Sequence, residues 1–171
     1  MAGDLETGEE VYFDLIGLKT AGVCRAATRI GALLSGADEE IVTALSAYGH
    51  NLGMAFQIVD DVLSYDGSLA LGKPLGSDLR NGRVTLPIIY ALQTGGARVR
   101  REIDTLFAAD DDGAAHARLV DILVSTRALK RARACAQHHT TVAKNALSPL
   151  PPSDSRDRLC ALADLFLARE H

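Results

Sequence analysis

Asp38-Glu-Glu-Ile-Val-Thr-Ala-Leu-Ser-Ala-Tyr-Gly-His-Asn-Leu-Gly-Met-Ala-Phe-Gln-Ile-Val-Asp-Asp-Val-Leu-Ser-Tyr65 is the stretch on which the fold turns. Asp38 is placed to cap a helix, and Glu39 and Glu40 follow in the first turn, where the positive end of a helix favours acids. Ile41, Leu45, Tyr48, Leu52, Ala55, Phe56 and Val59 then recur at three- and four-residue spacing, the helical period. The spacing predicts one long helix reaching about Tyr65. Two adjacent acids, Asp60 and Asp61, fall late in it, where the helix dipole opposes negative charge.

Upstream, Leu15, Leu18, Val23, Ala26, Ala27, Ile30 and Leu34 predict a helix from about Val11 to Leu34, ended by Ser35-Gly36. Downstream, the pattern breaks from Asp66 to Arg83, a loop rich in Gly and Pro. Thr85 is placed to cap the next helix, with Pro87 in its first turn, where a missing N–H does no harm. Gly95-Gly96 predicts its end, and a short helix near 98–107 follows. Asp110-Asp111-Asp112-Gly113 reads as a solvated turn. One long helix is expected from Ala114 to about Ala146, with Leu119, Ile122, Leu123, Leu129, Ala132, Ala136 and Val142 inward. Pro149, Pro151 and Pro152 break the chain, and Ser153 caps a last helix.

With 26 Ala and only 5% aromatic residues, composition favours helix over sheet. The expected class is all-α, with residues 1–171 as a single helical domain. A net charge of −4 carries no basic footprint for nucleic acid. No apolar run approaches the roughly 20 residues of a transmembrane helix, and the acidic start Met1-Ala-Gly-Asp-Leu-Glu is no secretory signal. Three widely spaced cysteines, Cys24, Cys135 and Cys160, fit neither a disulfide framework nor a zinc site. They suit a reducing cytoplasm.

Gly53, Gln57, Asp60, Asp61 and Ser64 share one face at helical spacing. Adjacent carboxylates among apolar residues are costly unless compensated, and Mg²⁺ typically joins one or two carboxylates to substrate phosphates. The loop Gly72-Lys73-Pro74-Leu75-Gly76-Ser77-Asp78-Leu79 then sets a lysine between glycines, a point charge for phosphate where backbone can approach closely. Arg83 is a second cation. The glycine spacing is not that of a P-loop.

Phe56-Gln57…Asp60-Asp61, Gly72-Lys73…Gly76-Ser77-Asp78-Leu79 and Gly82-Arg83-Val84-Thr85-Leu86-Pro87 occur in an order that resembles the C-terminal half of trans-isoprenyl diphosphate synthases. The resemblance implies the isoprenoid synthase helical bundle. It implies Mg²⁺-dependent condensation of an allylic diphosphate with isopentenyl diphosphate by ionisation, condensation and elimination. Lys19-Thr20 then matches the pair that contacts the allylic substrate, and Gln57 the glutamine of the Phe-Gln motif. Asp60 and Asp61 match the metal-binding second Asp-rich motif. Lys73 matches the loop lysine on diphosphate, with Arg83 at the position of a later lysine.

The chain departs from that pattern in three ways. Ser64 stands where the motif has its third aspartate, and Asp66 does not share its face. Arg83 changes the geometry of a cation. The family chain is roughly twice as long, and its first Asp-rich motif lies upstream of the matched region. The resemblance therefore implies half of a catalytic cavity and a protein partner carrying the N-terminal half. A non-catalytic subunit of a prenyl synthase and a terpene cyclase-like enzyme are the alternatives. Cys135, His138 and His139 read as residues of an ordinary helix, His50 as structural, Cys24 as a small core residue, and Tyr12 and Phe13 as core or interface.

Overall fold

A computed structural model describes residues 5–65, 83–109 and 112–168. Regular structure among these is entirely helical. It comprises α1 (Glu9–Ile16), a π-helical turn (Gly17–Ala21), α2 (Gly22–Leu34), α3 (Glu39–Leu63), α4 (Leu86–Phe107), α5 (Asp112–Ser125), α6 (Ala128–Ala146) and α7 (Asp154–Leu167). Both capping expectations that begin a helix on an open side chain hold. The Ile41 amide donates to Asp38 Oδ1 at 2.9 Å, and the Arg156 amide donates to Ser153 Oγ at 3.3 Å. None of the described helices is long and apolar enough to cross a membrane.

Four local expectations are corrected. The predicted first helix is interrupted by the π-helical turn, and Leu15, Leu18, Val23, Ile30 and Leu34 face outward; Tyr12, Ile16, Ala21 and Ala32 are the buried positions. Thr85 occupies the N-cap of α4 but makes no side-chain cap, because its hydroxyl pairs with that of Tyr65 at 2.6 Å. Gly95-Gly96 kinks α4, with Gly96 at φ 60°, and helix resumes beyond it. The helix expected over 114–146 is two, parted where Arg127 adopts φ 58°. Neither Gly nor Pro marks that break. Ser125 and Thr126 hydroxyls donate back to the Ile122 carbonyl at 3.0 and 2.7 Å, competing with the backbone ladder. Of the turn expected at Asp110-Asp111-Asp112-Gly113, the first two residues lie outside the described residues, and Asp112 and Gly113 instead open α5.

The chain divides into two compact units, one drawn from residues 1–12 and 60–133, the other from 13–59 and 134–170. In the first, α4 packs on α5 around buried Leu86, Ile88, Ile89, Ile103, Leu119 and Leu123. The chain's start is strapped to this unit by polar bonds. Arg100 pairs with Glu6 at 2.6 Å, and the Tyr90 hydroxyl and Gln93 amide donate to Glu9 at 2.9 and 3.3 Å. The Arg131 guanidinium lies 3.8 Å from the centre of the Tyr90 ring, a cation–π contact.

In the second unit, Tyr48, Leu52, Ala143, Leu147 and Ala163 form a core cluster. The Tyr48 hydroxyl donates to the Leu159 carbonyl at 2.8 Å, and burial pushes its pKa up to about 12. Glycine brings α3 against its predecessor. A Cβ on Gly53 would meet Ala21 Cα at 2.6 Å, and one on Gly49 would meet the Cys24 carbonyl oxygen at 2.6 Å. These are backbone atoms, so the helices themselves have to part.

Gly53→Ala is expected to destabilise the chain by roughly 1–3 kcal/mol, the usual cost of overpacking. Gly31→Ala, on an exposed helical position with nothing within 4 Å of its added Cβ, is expected to stabilise by about 0.5–1 kcal/mol. Urea unfolding of both variants checks the pair; equal effects contradict the close approach at Gly53.

Candidate active site

The predicted site residues fall into two groups, one in each unit. In the first, α3 carries Asp60 and Asp61 in its final turn, both half-buried. The Tyr12 hydroxyl donates to Asp61 Oδ2 at 2.7 Å. Tyr12 is 4% exposed, so it is a core residue, as expected, yet its one polar atom is spent on a site carboxylate. Sequence reasoning missed this role. Ser64 Oγ donates to the Asp61 carbonyl at 2.7 Å, so its proton is committed to the backbone while its lone pairs remain acceptors. Arg83 is exposed. Lys73 and Asp66 lie outside the described residues.

Just past the acids, Tyr65, Thr85 and His116 are buried together. Tyr65 and Thr85 share their hydroxyl bond, and the His116 ring lies nearly parallel to that of Tyr65, 10° between planes and 6.2 Å between centroids. Among the described residues, neither ring nitrogen of His116 has a hydrogen-bond partner. Burial lowers its pKa below the ordinary 6.5.

In the second group, Lys19 and Thr20 lie on the π-helical turn. A π turn adds a residue to the helical circuit and shifts the direction in which side chains leave it, a device common at functional sites. The Thr20 hydroxyl donates to Gln57 Oε1 at 2.8 Å. Lys19 is exposed and Thr20 half-buried. The close approach of Ala21 to Gly53 sets this pair, since Thr20 adjoins Ala21 and Gln57 is one turn beyond Gly53. His139 Nδ1 lies 2.9 Å from Asn51 Oδ1, and the ring of Phe13 meets that of His139 edge-on. Burial lowers the pKa of His139, reinforced by His138 and His50, and lowers that of His50, reinforced by Arg25.

The donor set suits a hard divalent cation shared with phosphate. Asp60 and Asp61 offer oxygen alone, and Mg²⁺ binds through one or two carboxylates, keeps waters and takes phosphate oxygens. Among the described residues no group of three His, Cys, Asp or Glu side chains is arranged to hold a metal by itself. The residues therefore fit a site completed by ligand, and fit no all-protein cage. Cys135, His138 and His139 likewise form no such group.

The polyprenyl synthetase family matches residues 2–123, and the chain belongs to that family. It is 36% identical to a short chain isoprenyl diphosphate synthase of Methanothermobacter thermautotrophicus over 168 residues, 98% of this chain and 51% of that protein. It is 39% identical over 153 residues to heptaprenyl diphosphate synthase component 2 of Geobacillus stearothermophilus, 89% of this chain and 47% of that one. The fold matches a crystal structure of a Caulobacter crescentus polyprenyl synthase complexed with calcium and isoprenyl diphosphate. That match has a TM-score of 0.92 at 34% identity, covering 99% of this chain and 52% of the other. The architecture is thus the all-α isoprenoid synthase fold. The chain spans about half the length of the curated relatives it matches.

The three depressed histidines set a pH dependence. The fold holds each neutral, so above the ordinary 6.5 their contribution is fully present. As pH falls below 6.5 the unfolded chain takes up protons first, and stability is lost through the depressed values. The urea midpoint is expected to be flat from pH 8 to 7 and to fall toward pH 5. His116→Phe removes one buried imidazole, without a hydrogen-bond partner among the described residues, and is expected to raise stability at pH 5 more than at pH 8. An equal shift at both contradicts the assignment.

Proposed function

We propose that the chain is the C-terminal half of a prenyl diphosphate synthase, a single helical domain working with a partner that carries the first Asp-rich motif. Its reaction is the condensation of an allylic diphosphate with isopentenyl diphosphate. The observation that carries this reading is the oxygen-only Asp60-Asp61 pair at the end of α3, in a chain of the polyprenyl synthetase family. Asp60 and Asp61 hold the metal. Mg²⁺, when bound, supplies positive charge against the leaving diphosphate. Lys19, Lys73 and Arg83 are assigned to neutralise the leaving diphosphate, the electrostatic contribution that usually dominates catalysis. Thr20 and Gln57, tied to each other, line the cavity beside the allylic carbon.

The partner reading is supported by the outer face of α1 and α2. Among the described residues, Val11, Leu15, Leu18, Val23, Ile30, Leu33 and Leu34 are all more than half exposed, Leu18 and Leu34 by 83% and 84%. Apolar surface of this extent marks an interaction site. The Geobacillus stearothermophilus relative is itself named as component 2 of a heptaprenyl diphosphate synthase. The cytoplasm is the proposed compartment, in keeping with three cysteines widely spaced in the sequence. A second reading, a non-catalytic stabilising subunit, is favoured by Ser64, which brings no carboxylate to the motif and turns its proton to the backbone.

Calorimetry tests the metal assignment. The chain is expected to bind Mg²⁺ weakly alone and to bind it at least about tenfold more tightly with pyrophosphate, ~1.4 kcal/mol. Asp61→Ala is expected to remove that synergy. An Asp61→Ala chain that binds both ligands as the parent does sinks the assignment.

A further inference from the structure

From the bond between Tyr12 and Asp61 we infer that Tyr12 is a positioning residue for the metal site, acting through Asp61. The inference rests on the metal reading of that carboxylate. A carboxylate on the last turn of a helix has several rotamers, and a cation bound with diphosphate needs one of them. The Tyr12 hydroxyl, 2.7 Å from Asp61 Oδ2, selects it. A carboxylate offers about four lone-pair sites, so a hydroxyl bond and a cation are compatible on one carboxylate. The donor is itself fixed. The Tyr12 ring is buried, and the helical turn that carries it begins at Glu9. Glu9 is held by the Tyr90 hydroxyl and the Gln93 amide, and Tyr90 is covered by Arg131. A line of contacts thus runs from α6 through α4 and the start of α1 to the carboxylate, all within one compact unit. Hydrogen-bond partners of metal ligands commonly govern metal affinity by 10–100-fold.

Tyr12→Phe keeps the ring and removes the hydroxyl. Pyrophosphate binding is measured by calorimetry with Mg²⁺ and with chelator, on the parent, Tyr12→Phe and Asp61→Ala. Tyr12→Phe is expected to weaken the Mg²⁺-dependent binding about tenfold and to leave the chelator value unchanged. A merely structural hydroxyl lowers both alike, and that result overturns the inference. So does parental binding by Tyr12→Phe when Asp61→Ala loses the synergy, a result that leaves the metal reading standing. Parental binding by Asp61→Ala removes the metal reading, and this inference with it. If Tyr12→Phe fails to fold, Tyr90→Phe is read instead, since it loosens the anchor of the same turn; a smaller loss confined to the Mg²⁺-dependent value is expected, and no loss overturns the inference.

Discussion

Where α3 has no side chain, at Gly49 and Gly53, the backbone that precedes it comes into direct contact. The atoms met there are Cys24 O and Ala21 Cα, neither of which can swing aside. That contact has two consequences. It seats the π-helical turn, and so settles where Lys19 and Thr20 leave the backbone. It also brings Thr20 within 2.8 Å of Gln57, joining two residues 37 apart in the chain. Nothing in the propensity of either helix supplies this; a close-packed interior transmits the shape of a missing methyl directly into the register of polar groups.

The acids at the far end of α3 depend on a different device. Their position late in a helix is unfavourable for negative charge, and a hydroxyl from Tyr12 donates to one of them, Asp61. Hydrogen bonding of this kind holds a carboxylate without neutralising it. Nearby, Thr85 gives up the cap of α4 to meet Tyr65, and His116 is buried with neither nitrogen bonded among the described residues. Local rules of capping and polar satisfaction fail together beside the carboxylates, as they tend to at functional sites.

Much of this was legible in the residues. The period of Ile41 to Val59 defined α3, and Asp38 and Ser153 declared two helix starts with their own side chains. The order of Phe-Gln, Asp-Asp and the Gly-Lys loop pointed to the family the comparisons establish. Other features had no local signal. The π turn at Gly17–Ala21 lies within a run of apolar residues at mostly helical spacing, which predicts one uninterrupted helix there. The break at Arg127 is made by serine and threonine hydroxyls bonding backward, chemistry that a helix tolerates elsewhere. Tyr12 and Asp61 stand 49 residues apart, and an aromatic residue in an apolar run reads as core, which it also is.

The central claim is that these residues form one half of a divided catalytic cavity. The most direct measurement is prenyl transfer by the purified chain, with Mg²⁺, an allylic diphosphate and isopentenyl diphosphate, alone and after co-expression with a chain bearing the Asp-Asp-x-x-Asp motif. The account predicts negligible turnover alone, and elongation by a complex of the two that elutes together on size exclusion. Robust elongation by the verified single chain, or a well-folded monomer that neither binds nor gains activity from any such half, contradicts it.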